Sequence, residues 1–128
     1  MTVELSMLVY SVGLLVVVIA VQAVTGILAQ GVATQAGARD NLSEPTAFQA
    51  RTGRVVDNHR EGLLIFAPLV LVAAAAGIST EMTILGAQLF FYSRVLHAII
   101  YLAGVPWVRP LAWAAGMVGC VLIFAALL

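Results

Sequence analysis

Lysine is absent from this sequence, and charged residues of any kind are scarce. All six basic residues are arginines, six acidic residues balance them, and charged residues make up 9% of the 128 positions. A soluble domain of this length carries about 25% charged residues, so the composition disfavours a soluble globular domain. The zero net charge also removes the electrostatic basis for binding nucleic acid.

Cysteine occurs once and histidine twice. A single cysteine cannot form an internal disulfide or a cysteine-based zinc cluster, and no spacing of histidine with carboxylates suggests a metal ligand set. We therefore predict no metal site. The one cysteine, Cys120, lies within an apolar run, where we expect its thiol to be buried and unreactive.

Apolar residues are abundant, at 62% of the chain, and the mean hydropathy is +1.07. A transmembrane helix needs about 20 apolar residues, so four crossings with short connections use nearly all of the chain. We predict one all-α domain over residues 1–128, an integral membrane four-helix bundle. The predicted helices cover about residues 5–30, 48–76, 81–103 and 107–128.

Residues that break or cap helices separate the apolar runs. Residues 31–50 have the polar composition of a loop. Residues 77–80 form a tight turn in which Thr80 or Ser79 caps the third helix. Residues 104–106 (Gly-Val-Pro) end that helix before the fourth begins.

The arginines predict the orientation of the bundle. Five of the six lie at one end: Arg39, Arg51, Arg54, Arg60 and Arg109. The other end carries only Glu4 and Glu81 near the predicted helix ends. By the positive-inside rule the arginine-bearing end is cytoplasmic, so both termini lie on the opposite side of the membrane, which in a bacterium is the inner or cell membrane.

The second predicted helix carries charges that a transmembrane helix should lack. A charge at the bilayer centre costs ~2.5–3.5 kcal/mol even on the lenient insertion scale. At ~100° per residue, four polar residues form one stripe: Arg51, Arg54, Asn58 and Glu61. We expect His59 and Arg60 to point away from this stripe, with His59 at the membrane interface.

The third predicted helix repeats the pattern with Arg94, His97 and Tyr101 on one face. Both stripes lie in the half of the bilayer near the arginines, so they can line one polar cavity. Such a cavity suits a small ligand that carries carboxylates and an amine. Two structural alternatives stay open: an ion pair between Arg94 and Glu61 that joins the two helices, and Arg51 and Arg60 side chains that reach back to the interface.

At these residues the sequence resembles the MAPEG family, the membrane-associated proteins of eicosanoid and glutathione metabolism. The second-helix pattern R-x-x-x-N-x-x-E is present as Arg54, Asn58 and Glu61. The third-helix pattern R-x-x-[H/Y]-x-x-x-Y is present as Arg94, His97 and Tyr101. Arg109 stands where the family has an arginine that opens the fourth helix. The motifs cover residues 51–113, and the four-helix layout extends the resemblance to the whole chain.

The resemblance implies a homotrimer with glutathione, the co-substrate, bound between neighbouring subunits near the cytosolic face. The residues that would hold glutathione are Arg54, Asn58, Glu61, Arg94, His97 and Tyr101. Arg109 would be the catalytic residue that stabilises the thiolate. Arg51 and Arg39 are accessory candidates outside the motifs, and the variable length of the first loop does not allow Arg39 to be equated with any arginine of the family. The implied activity is that of a membrane-bound glutathione transferase or peroxidase, and its second substrate would be a lipophilic electrophile or lipid hydroperoxide from the membrane.

Departures from the family pattern narrow this interpretation. Gly62 stands where some members have tyrosine, and Ala98 where the prostaglandin synthase branch has threonine, so a bacterial-type generalist fits better than an eicosanoid specialist. One alternative is a non-catalytic lipid- or partner-binding member of the same family, which Arg109 and Tyr101 disfavour. Another is a small multidrug-type transporter, which relies on an acidic residue within its first helix; here only Glu4 is present, at the start.

Overall fold

The computed structural model describes residues 1–128, and its regular structure is entirely helical. The helices are α1 (Val3–Gln30), α2 (Val32–Ala36), α3 (Ala47–Ala75), α4 (Glu81–Ala103) and α5 (Val108–Leu127). The four long helices confirm the predicted all-α bundle. The short helix α2 lies in the stretch whose composition predicts a loop, because the five residues between Gly31 and Gly37 include no glycine or proline and can form a helical turn.

Three of the helices, α1, α4 and α5, are long and apolar enough to cross a membrane. Helix α3 is as long as α1, but its first half carries the charged residues of the second predicted helix. Large apolar side chains are widely exposed on the protomer, among them Val16, Leu64 and Val121 at 62–73%. Such a surface is suited to contact with lipid or with another membrane-embedded subunit.

The core lies between the four long helices. Phe66 of α3 and Phe90 of α4 are fully buried and stack with ring centroids 4.0 Å apart. Helices α4 and α5 are in close contact at Gly86 and Gly119, where a β-carbon on Gly119 would lie 2.5 Å from the carbonyl oxygen of Gly86. Small residues permit this close contact of backbones within a membrane.

At the end of the bundle that holds the N-terminus, Glu4 is buried at 2% exposure. Its carboxylate accepts hydrogen bonds from Ser79 Oγ at 3.0 Å and from Thr83 Oγ1 at 2.5 Å. Thr83 and Thr80 also form the capping box that begins α4, so of the two predicted caps, Thr80 and Ser79, the helix uses Thr80. Glu4 therefore joins α1 to the start of α4 instead of standing free at the membrane surface.

At the arginine-bearing end, α4 ends at Gly104, whose φ of 75° lies in the left-handed region. The Gly104 amide donates to the carbonyl groups of Ile100 and Tyr101. The Nη1 atom of Arg51 occupies the space that a β-carbon on Gly104 would need. A cation beside the last carbonyl groups of a helix is electrostatically favourable. Arg51 thus connects the start of α3 to the loop between α4 and α5.

We expect Gly104→Ala to destabilise the protein more than Gly77→Ala. Both glycines follow long helices with positive φ, 75° and 67°, so each alanine introduces backbone strain of roughly 1–2 kcal/mol. Only at Gly104 does the added methyl group also collide with Arg51, whereas nothing lies within 4 Å at Gly77. The atom in the way is the far end of a flexible side chain, which can move aside, so the further cost is the lost contact of this cation with the end of α4, about 0.3–1 kcal/mol. Thermal unfolding in detergent measures the difference, and equal losses would show that Arg51 does not hold this loop.

Candidate functional site

Arg94 of α4 is buried at the centre of a group of polar side chains, with 1% of its surface exposed. Its Nη2 atom donates a hydrogen bond to Asn58 Oδ1 of α3 at 2.6 Å and lies 3.4 Å from Nδ1 of His97. Gly62 of α3 and Gly116 of α5 lie beside the side chain, where β-carbons would be in ordinary contact with it, 4.0 Å from its Nε and 3.4 Å from its Cδ. Three helices therefore enclose one guanidinium group.

This buried cation has no acidic partner. The one ion pair of the structure joins Arg60 to Asp57 at 2.8 Å on an exposed face of α3. The Nε and Nη1 atoms of Arg94 are buried without any hydrogen-bond partner. A buried charge that lacks a counter-ion is unfavourable, so the surroundings of Arg94 are suited to receive an anion or further hydrogen-bond acceptors.

Two more guanidinium groups converge on Tyr101, two turns further along α4. The Cζ atom of Arg109 lies 5.3 Å from the centre of the Tyr101 ring, and that of Arg54 lies 5.7 Å from it. Both distances are within the range of a cation–π contact. The ring of His97 lies 5.5 Å from the Tyr101 ring. Arg54 and Arg109 are exposed on the protomer and neither forms an ion pair.

The structure brings together six of the seven site residues predicted from the motifs. We call this group the arginine cluster; it consists of Arg54, Asn58, Arg94, His97, Tyr101 and Arg109. Glu61 is exposed on α3 and forms no ion pair. The pairing of Arg94 with Glu61 is therefore not formed, because Asn58, one turn earlier on α3, supplies the acceptor instead.

The two accessory arginines lie outside the arginine cluster. Arg51 contacts Gly104, as described above, and its Cζ atom lies 5.9 Å from the ring of Phe48. Arg39 is exposed in the loop after α2, and its Nε donates to the carbonyl oxygen of Gln35 at 3.0 Å. No hydrogen bond joins either side chain to the cluster.

The predicted location of His59 at the membrane interface is wrong. The residue is 2% exposed, and its Nε2 lies 2.7 Å from the carbonyl oxygen of Ser11 in α1. The helical phase correctly separates His59 from the polar stripe, but the face to which it belongs packs against α1. The neighbouring Arg60 is exposed, as expected. Cys120 is 3% exposed in the apolar core, which agrees with the expectation of a buried thiol.

These features define an integral membrane bundle of four long helices with unpaired arginines gathered at one end. The model of the MAPEG family matches residues 7–128, nearly the whole chain. The chain belongs to the MAPEG family, whose fold is a membrane four-helix bundle, and the resemblance seen in the motifs is confirmed. The family includes glutathione transferases and eicosanoid enzymes. No curated protein and no solved structure matches the chain.

The contacts of Arg94 predict unequal effects for two substitutions on α3. Asn58→Leu removes the 2.6 Å hydrogen bond of a buried cation, and hydrogen bonds to charged groups contribute about 1.5–3 kcal/mol. Glu61→Gln changes an exposed side chain without an ion pair and should alter stability by about 0.5 kcal/mol or less. Unfolding of the purified variants in detergent measures both. A larger loss for Glu61→Gln would show that Glu61 is the residue that neutralises Arg94.

Proposed function

We propose that the protein is a membrane-bound glutathione transferase or peroxidase that activates the thiol of glutathione at the arginine cluster. The supporting observation is the convergence of three arginines, from α3, α4 and α5, without a carboxylate paired to any of them. Glutathione has two carboxylates and an ionisable thiol, so its negative groups complement this site. Membership of a family made up largely of glutathione-dependent enzymes supports the same activity.

The geometry suggests different roles for the two binding arginines. Arg54 is exposed beside Tyr101, and a guanidinium group can bind a carboxylate through two parallel hydrogen bonds. Arg94 is buried behind Asn58, so it orients the Asn58 amide and adds positive charge from within the bundle. Glu61, exposed on the same helix, is the residue that can accept the α-ammonium group of the tripeptide.

Arg109 is the proposed catalytic residue. A free thiol has a pKa of about 8.5, and a neighbouring cation lowers this pKa and favours the thiolate, which is the nucleophile. The guanidinium group of Arg109 is exposed at the start of α5 and lies over the Tyr101 ring. A thiolate held there can attack a lipophilic electrophile from the membrane and form a thioether as the leaving group departs. With a lipid hydroperoxide, attack on the peroxide oxygen breaks the O–O bond, releases the lipid alcohol and leaves glutathione sulfenic acid, which a second glutathione converts to the disulfide and water.

The exposed charges of the protomer favour an oligomer. Arg54, Glu61 and Arg109 are exposed on a bundle whose surface is otherwise largely apolar, and a charge in the bilayer costs ~2.5–3.5 kcal/mol or more. A neighbouring subunit that supplied polar or charged partners over this face would reduce that cost. We therefore propose the homotrimer of the family, with glutathione between subunits, the arginine-bearing end in the cytoplasm and both termini on the opposite side.

The burial of Glu4 bears on the transporter alternative. A small multidrug-type transporter needs an acidic residue within its first helix that substrates and protons can reach. Glu4 is the one acidic residue of α1, and its carboxylate is buried and accepts hydrogen bonds from Ser79 and Thr83. This arrangement favours an enzyme of the family over a transporter.

Substitution of Arg109 tests the catalytic proposal. Arg109→Ala should lower kcat/KM for conjugation of glutathione to an aryl halide about 100-fold, as the loss of a preorganised electrostatic contact does elsewhere. Glutathione affinity should fall far less, and Arg109→Lys should recover part of the rate, because a point charge is sufficient beside sulfur. The ultraviolet absorbance of the bound thiolate should fall in parallel with the rate. Arg60→Ala, which removes an exposed arginine paired with Asp57, is the matched control.

An Arg109→Ala variant that conjugates glutathione as fast as the unmodified protein would remove Arg109 from the mechanism.

The assembly proposal is tested by native mass spectrometry of the protein released from nanodiscs. We expect a trimer, and we expect glutathione to bind only to the trimer because each site is completed by a neighbouring subunit. A monomer that binds glutathione with undiminished affinity would contradict both statements.

A further inference from the structure

A cavity of about 680 Å³ lies between the C-terminal half of α1, helix α2, the loop that follows it and the first turn of α3. It shares no lining residue with the arginine cluster. Its volume is within the range of about 300–1,000 Å³ that small-molecule sites occupy. The protein therefore has a ligand-sized space, apart from the arginine cluster, at its arginine-bearing end.

One wall of this cavity is apolar and follows the axis of α1. Ile19, Ala23 and Ile27 line it at successive turns, a distance of about 12 Å at 1.5 Å per residue. Val32 and Leu42 line it from the α2 side. Because α1 is long and apolar enough to cross a membrane and Ile19 is 45% exposed, the apolar wall continues into the lipid-facing surface.

The other part of the cavity is polar. Arg39 lines it without an ion pair, although Asp40 follows in sequence. Arg39 Nε donates to the Gln35 carbonyl oxygen, and the backbone of Arg39 has a φ of 64°, which is uncommon for a residue other than glycine. Gln49 also lines the cavity, and its Oε1 is buried with no hydrogen-bond partner. A rotation of this amide presents either its oxygen or its NH2 group.

We propose that this cavity binds a single-chain anionic amphiphile, a long-chain fatty acid, with its alkyl chain along the α1 wall and its carboxylate at Arg39. The single cation matches one carboxylate, and the Gln49 amide supplies a second hydrogen bond to the head group. The apolar wall at Ile19 lets the alkyl chain enter from the bilayer. This site is separate from the one proposed for glutathione and does not depend on it.

The test is a titration of the full-length protein in phosphatidylcholine nanodiscs with cis-parinaric acid, a fluorescent fatty acid. Arg39→Gln should weaken its affinity about tenfold, as the loss of a charged hydrogen bond does, and Ala23→Phe should block the alkyl chain. The matched controls are Arg60→Gln, an exposed arginine near the same end, and Ala20→Phe, on α1 outside the cavity. Neither control should change the affinity. Oleate should displace the probe, whereas methyl oleate, which lacks the charge, should not.

Several outcomes would overturn the inference. One is unchanged affinity in both Arg39→Gln and Ala23→Phe; another is an equal loss in Arg60→Gln, which would mean that surface charge alone attracts the probe. A loss of glutathione binding without a loss of parinarate binding in Arg39→Gln would assign Arg39 to the glutathione site instead.

A second measurement needs no variant. A diazirine-bearing fatty acid photolysed with the unmodified protein should label residues 19–27 and 32–42, and labelling confined to other helices would contradict the proposed site.

Discussion

The burial of one guanidinium group is the constraint on which the rest of this bundle depends. Arg94 is almost fully enclosed and has no carboxylate beside it, so its neighbours must supply both space and acceptors. The nearest acceptor is Asn58 on α3, and Gly62 on α3 and Gly116 on α5 lie beside the side chain. Because Asn58 and Arg94 lie on different helices, their hydrogen bond acts together with apolar packing, such as that of Phe66 on Phe90, in setting the axial positions of α3 and α4.

The same constraint gives the bundle two unlike ends. At one end the charge of Arg94 is joined by those of Arg54 and Arg109 around Tyr101, and none of these arginines forms an ion pair. At the other end the buried carboxylate of Glu4 accepts hydrogen bonds from the start of α4. One end is therefore closed by a satisfied polar contact, whereas the other keeps electrostatic capacity for an anion. Family membership is consistent with this asymmetry. Many members of the family depend on glutathione, and the carboxylates of glutathione are anionic groups that a positively charged end can bind.

Periodicity and run length were sufficient to predict the four long helices and the two polar stripes, because both depend only on local sequence. The bounds of α4, Glu81–Ala103, coincide with the predicted ones, since a threonine cap and a glycine mark its ends. The choice of Asn58 over Glu61 as the partner of Arg94 could not be predicted. The two residues lie on one face of α3 less than a turn apart, and the shift of α3 along α4 that decides between them is set by packing, for example of Phe66 on Phe90. His59 shows the same limit. Periodicity predicts which face of α3 carries His59, but it does not predict which helix packs against that face.

The length of α1 explains how the loop that follows it is held in place, which local sequence patterns do not predict. Its 28 residues extend about 42 Å, beyond the ~30 Å hydrocarbon layer, so its last turns can serve as a surface on which the following loop folds. Gln30 holds that loop against α1 through two hydrogen bonds to Ser43. Its Nε2 donates to the Ser43 carbonyl oxygen at 3.0 Å, and its Oε1 accepts from the Ser43 hydroxyl at 2.7 Å. Gly26, which lacks a side chain, lets Gln35 pack directly against α1. The cavity beside Arg39 exists because these contacts hold the loop on α1, and each joins residues too far apart in sequence for periodicity to connect them.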